Sequence, residues 1–181
     1  MSHRSNTGRS LRFLTVSAML CALGVVLLAL GSVIDVIDLS VAVLASLFAV
    51  YAVIEMGGIY PWLIWIVTSV LSCLLLPQKT PAIFYACFFG FYPICKAKIE
   101  GHLKNPLGYV CKLLLFHASL ALLYGVFRLF LPSQLEGYGL GWLLFATYAA
   151  ALLCFVLYDF CLSRLITFYL YRLQKRFHLR R

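Results

Sequence analysis

Acidic residues are scarce in this chain: six Asp and Glu stand among 181 residues, against fifteen Lys and Arg. A water-soluble domain carries about 25% charged residues. Here the charged share is 12% and the hydrophobic share 64%, so there is too little polar surface to enclose a soluble core. H-E-x-x-H, G-x-S-x-G, a Walker P-loop and C-x-x-C are all missing. These gaps exclude a self-contained soluble catalytic domain, a nucleotide-binding P-loop and a receptor with a folded ectodomain. With no clustered carboxylates and no Ser/His/Asp set at one depth, the expectation is a chain that is not an enzyme and holds no metal or cofactor.

What is abundant is long apolar sequence. At roughly 20 residues per spanning helix, six spans would consume nearly all of it. Apolar runs bounded by charge or by Gly and Pro place them at about 12–33, 39–56, 59–76, 81–95, 107–131 and 142–170. The expected fold class is therefore all-α: one polytopic domain of six transmembrane helices.

The net charge of +9 would fit nucleic acid if the cations formed one patch, but they sit at the ends of the apolar runs. Arg4, Arg9 and Arg12 precede the first, Lys96, Lys98 and Lys104 follow the fourth, and Arg172, Lys175, Arg176, Arg180 and Arg181 follow the last. Cytoplasmic segments carry that excess, and anionic lipid headgroups reinforce it. The expected partner is thus the lipid bilayer and not nucleic acid. The connections at 35–38, 77–80 and 132–141 contain a single Lys or Arg, Lys79, and read as external, which puts both termini inside. The first apolar run exceeds the 7–15 residues of a signal peptide's core and is expected to remain. Seven cysteines lie in or beside the runs and read as small buried hydrophobes.

Several constellations bear on function. Ala18 and Ala22 lie one turn apart on one face of the first run, and small residues at this spacing let a second helix approach closely. The same pattern recurs at Ala42 to Ser46, Ala45 to Ala49 and Ala146 to Ala150, so packing within the chain is the alternative reading of Ala18 and Ala22 too. The fourth run has 15 residues from Pro81 to Cys95, too few for about 30 Å of hydrocarbon, and Gly90 and Pro93 weaken its helix. Short spans interrupted by Gly or Pro point to transporter binding sites; a kinked interfacial end is the alternative.

Ionisable residues within spans are functional candidates. Glu55, Lys112, Asp159 and Arg164 are expected at the cytoplasmic interface, where Lys112 with Asp159, or Glu55 with Lys96, would be neutralising pairs. His117 reads as a satisfied neutral histidine. On the outer side, Asp35, Asp38, Tyr85, Tyr124, Arg128, Trp142 and Tyr148 have the composition of a small-molecule site, aromatic walls with a few charges. An aromatic belt anchoring the bilayer interface would use the same rings.

The size, the six spans and the opening Arg12 to Ala18 to Ala22 pattern resemble the substrate-binding S components of energy-coupling factor (ECF) transporters, vitamin-uptake proteins of bacteria and archaea. The resemblance implies that Ala18 and Ala22 pack on a transmembrane coupling subunit that works with ATPases. It also implies a solute bound near the outer face, under the segment Gly31 to Ser40. The stretch from Leu74 to Lys96, including Pro77-Gln78-Lys79-Thr80-Pro81, together with Lys112 to Phe116, is similar to a family of six-span proteins of Gram-positive gut bacteria to which no activity is assigned. That family has an acid where this chain has Thr80.

The leading expectation is a subunit in the bacterial inner membrane that captures a small, poorly charged solute and passes it to an ATP-driven partner. A scaffold of cell-envelope assembly without a pocket is the alternative. A lipid-directed enzyme using Lys112 and Asp159 is a third.

Overall fold

The computed structural model describes residues 3–102, 107–130 and 141–173, with side chains for all of these except 3–9, 35, 141, 143, 144, 172 and 173. Among the described residues the chain is helical and contains no strand. The helices are α1 (His3–Val33), α2 (Asp38–Glu55), α3 (Tyr60–Leu75), α4 (Thr80–Phe84), α5 (Tyr92–His102), α6 (Leu107–Phe130) and α7 (Gly141–Phe168). A single 3-10 turn, Asp35–Ile37, links α1 to α2. A π-helical turn, Tyr85–Phe89, joins α4 to α5, and another, Tyr169–Leu173, follows α7.

Five stretches are long and apolar enough to cross a membrane: Ser10–Val33, Asp38–Glu55, Thr80–His102, Leu107–Phe130 and Phe145–Tyr171. They mark the chain as a membrane protein. The structure differs from the sequence expectation in which apolar helix is short. The run expected to end at residue 95 continues as Thr80–His102, 23 residues, because the lysine read as its exit, Lys96, is 1% exposed and sits inside the fold. The short helix is α3, at 16 residues, about 24 Å of rise. It is confined on both sides. Gly57 and Gly58 take φ of +61° and +59°, a left-handed pair that only glycine adopts without cost, and Met56 and Gly57 both donate to the Ala52 carbonyl, closing the end of α2. Beyond Leu75, the Lys79 ammonium donates to the Leu76 carbonyl at 2.5 Å, and Pro77 prevents continuation.

The chain divides into two compact units, Met1–Val126 and Phe127–Arg181. In the first, α1 runs antiparallel to α2 and parallel to α3. Its packed face is Ser17, Cys21, Gly24, Leu28 and Ser32, all buried. A side-chain carbon added at Gly24 would lie 3.1 Å from Thr68 Cγ2, and one at Gly31 would lie 3.2 Å from Val41 Cβ and 3.5 Å from Pro81 Cβ. The end of α1 therefore meets the start of α2 and the start of α4. α2 turns Ala42, Ala45, Ser46, Ala49 and Ala52 inward, each 0% exposed, so this helix packs through a stripe of small residues. At the opposite end, Tyr60 stacks edge-on against Phe13 with centroids 5.5 Å apart. Ser17 Oγ lies 3.5 Å from Met56 Sδ.

α6 joins this unit through Gly108, Lys112, Phe116 and Ser119, a buried stripe at helical spacing. Phe116 meets Phe88 edge-on at 6.2 Å. In the second unit, Phe155, Tyr158 and Leu162 of α7 are buried on one face, and the Arg164 guanidinium lies 5.2 Å from the Phe160 ring centroid.

Candidate functional site

The interruption between α4 and α5 falls at the middle of the Thr80–His102 run and not at its end. Its geometry follows from three residues. Pro93 has no N–H to give the preceding turn. The Gly90 N–H reaches back five residues to the Tyr85 carbonyl at 2.7 Å, the π-type bond that widens the helix by one residue. Widening displaces the Ala86 carbonyl from the regular ladder, and the Trp65 indole N–H from α3 donates to it at 3.1 Å. A backbone group freed in an apolar interior is costly unless matched, and the indole matches this one.

Gly90 is required by contact. A Cβ there would stand 2.4 Å from Trp65 Cδ1 and 2.8 Å from Tyr85 Cε1. Trp65 also contacts Phe91 at 5.9 Å and Trp62 at 5.7 Å between centroids. Tyr85 is 1% exposed, and its hydroxyl lies beside Thr68, which in turn neighbours Cys21. The break is thus a packed centre in which α1, α3 and the π-turn converge.

The face of α3 toward this centre changes character along its length. Ile64 and Trp65 give way to Thr68, Ser69 and Ser72, with exposures of 1%, 8% and 0%. Neither serine hydroxyl has a hydrogen-bond partner among the described residues, while Thr68 faces the Tyr85 phenol and the Cys21 thiol. The other four buried serines among the described residues behave differently. Ser17, Ser32, Ser46 and Ser119 each donate to a carbonyl three or four residues earlier in their own helix, the usual way a helix interior accommodates serine.

A second polar cluster lies at the far end of the run. The Glu100 carboxylate is 2.6 Å from the Lys112 ammonium and 3.7 Å from that of Lys96. Both lysines are buried, and Glu100, 46% exposed, opens the group toward the surface. Lys98 lies 5.1 Å from the Trp62 ring centroid and Lys112 lies 5.4 Å from that of Tyr109, both in cation–π range. Glu100 is absent from the pairs weighed in the sequence. It is the acid that Lys96 and Lys112 share. Asp159 belongs to the second unit, where its carbonyl accepts from Ser163. His117 Nδ1 is 2.8 Å from the Leu113 carbonyl of its own helix.

The outer-site residues read from the sequence fall into separate environments. Tyr85 and Asp38 are buried, Asp38 in the first turn of α2. Tyr124 is exposed in the first unit. Arg128, Trp142 and Tyr148 are exposed in the second. The Asp35 side chain lies outside the described residues. Ala18 and Ala22 are exposed beside Met19, Leu23 and Val26, on a face of α1 away from the one that packs on α2 and α3. What the sequence reading missed is Trp65 and the α3 hydroxyls. Their i, i+3, i+4, i+7 spacing puts them on one face, but only the placement of the π-turn gives that face a partner. The chain was compared with protein-family models, with curated proteins and with solved structures, and none matches.

Proposed function

We propose that this chain is the solute-capturing membrane subunit of an ATP-driven uptake complex, in the manner of the ECF transporter S components. In this reading it crosses the bacterial inner membrane six times with both termini in the cytoplasm. It performs no chemistry of its own. The observation that carries the reading is the break at Tyr85–Phe89, in the middle of an apolar run and faced by buried hydroxyls on α3. Polar, irregular backbone at membrane depth is tolerated where it is buried in protein or lines a solute cavity, and interrupted spans are where transporters hold their cargo.

The exposed Ala18 and Ala22 support a partner in the bilayer, because they leave a thin strip on α1 that a second helix can approach. That partner is a coupling subunit with its ATPases, since the chain has no P-loop. A thermal-shift screen of vitamins, amino acids and nucleobases on the detergent-purified protein tests the capture role. One compound is expected to raise the melting temperature saturably, as a ligand of the folded state does. A flat response across the screen contradicts it. The scaffold reading draws on the exposure of Tyr124, Arg128, Trp142 and Tyr148. It predicts that alanine at all four leaves every ligand response absent and the cellular phenotype unchanged.

A further inference from the structure

We infer that Thr68, Ser69 and Ser72 of α3 line a wet pocket beside the π-turn that accepts an uncharged, hydrogen-bonding solute. This inference rests on the reading of a solute-capturing chain and assigns the chemistry of what is captured.

The argument begins with the cost of a bare hydroxyl. In an apolar interior an unmatched hydroxyl costs several kcal/mol relative to water, on the order of 2–7. Two of them, Ser69 and Ser72, within one turn of one helix are retained only if something satisfies them. Their own helix does not, in contrast to Ser17, Ser32, Ser46 and Ser119, each of which has back-bonded to its own chain. The three side chains are at least nine-tenths buried, so they do not face open solvent or lipid. Water or a guest held between α3 and its neighbours satisfies them, and a site supplying several hydrogen-bonding groups suits both.

The location agrees with a guest. The contacts of Cys21 with the Ile64 carbonyl and of the Gly24 position with Thr68 show that α1 and α3 rise together. Ser72 therefore lies one turn further toward the end where α1 finishes and α2 and α4 begin. Tyr85, with its hydroxyl beside Thr68, forms the floor.

The polar groups at the centre are three hydroxyls, a phenol and a thiol, all uncharged. Lys79 donates to the Leu76 carbonyl, beyond the last turn of α3. Lys96 follows Tyr85 by eleven residues, about 16 Å along the axis. Hydroxyls alone do not offset the desolvation of an ion, so the guest that fits is neutral, with donors and acceptors of its own.

Thiol accessibility tests this without knowledge of the solute, since a thiol reacts as the thiolate and a thiolate forms only in contact with water. Ser69→Cys and Ser72→Cys are placed on a background with the seven native cysteines changed to alanine, in nanodiscs. The probes are methyl methanethiosulfonate, small and neutral, and its sulfonatoethyl and trimethylammonioethyl analogues, which carry one negative and one positive charge. The neutral reagent is expected to label Ser72→Cys at least about tenfold faster than Val70→Cys on the outward face of α3. Each charged reagent is expected to lag by a similar factor after normalisation to free cysteine.

No labelling means a dry interior and overturns the inference. Equal labelling by all three reagents means an open aqueous vestibule, water only, and overturns it too. Should the cysteine-free background fail to fold, Ser69→Ala and Ser72→Ala in the native chain decide the matter. A dry, unmatched hydroxyl is relieved by alanine and the melting temperature rises, against the inference; a wet site gives an unchanged or lower value, in its favour. A saturable ligand shift alongside a dry Ser72 would sink the pocket and leave the capture role standing. A wet, neutral-selective Ser72 with no saturable ligand would do the reverse.

Discussion

On α2, Ala42, Ala45, Ser46 and Ala49 are wholly shielded; on α1, Ala18 and Ala22 carry the same four-residue spacing and are exposed. The difference lies in the residues beside them. α1 has a second candidate face displaced by one position, Ser17, Cys21, Gly24 and Leu28, and Gly24 allows closer approach to Thr68 and Phe48 than alanine would. The thinnest face packs within the chain, and the next thinnest stays exposed. α2 has no glycine among its residues, so its alanines are its closest-packing face. Small-x-x-x-small spacing thus states that a helix can be approached, and the competing faces of that helix decide by whom.

The largest effect that separates the two stripes is expected on α2. Ala45→Leu combined with Ala49→Leu forces six extra carbon atoms into fully buried positions, at about 1–3 kcal/mol for each site. Purified protein should lose its cooperative melting transition, and an unchanged melting temperature would show that the α2 stripe is not a packing face.

Glu100→Gln comes next. It removes the carboxylate shared by Lys96 and Lys112 and leaves two buried ammoniums close together. A fully buried pair broken this way costs about 3–5 kcal/mol. With Glu100 46% exposed, solvent lowers the expectation to about 1–3 kcal/mol, read as a fall in melting temperature that Glu100→Asp partly restores.

A smaller loss is expected of Trp65→Phe, which keeps much of the ring packing but strips the Ala86 carbonyl of its donor, at about 1–2 kcal/mol. Hydrogen exchange across residues 85–91 should rise in this variant while that of α2 stays fixed. Equal protection at the π-turn would mean that the indole is not what satisfies it. Least of all, Ala18→Leu with Ala22→Leu should leave the stability of the isolated chain within about 0.5 kcal/mol of the parent, as surface substitutions do, read as a nearly unchanged melting temperature.

Much of the fold was legible because hydrophobicity dominates it. Five of the six expected spans have the length and apolarity to cross a membrane, since a run of this kind has no soluble alternative. The difference at the fourth run, whose helix continues to His102, comes from treating Lys96 as a water-facing residue on its charge alone. A lysine is buried when a carboxylate reaches it, and Glu100, one turn later, does. The importance of Gly90 was visible, but its cause was not: Trp65 lies twenty-five positions earlier, and its fit against Gly90 is a tertiary fact. Tyr85 was read as one of the outer aromatics; its burial beside Thr68 is set by tertiary packing that spacing along the sequence does not show. The α3 hydroxyls passed unremarked because serine and threonine are unexceptional in a span until their own helix fails to bond them.

The central claim is that the free face of α1 docks on a transmembrane coupling subunit, and it is tested most directly by purifying the tagged full-length chain from native membranes, beside Ala18→Leu with Ala22→Leu. The account predicts that the unaltered chain brings down a coupling subunit with its ATPases and that the variant, equally well folded, brings down neither. Recovery of the same complex with the variant, or of no such complex with the unaltered chain, would contradict it.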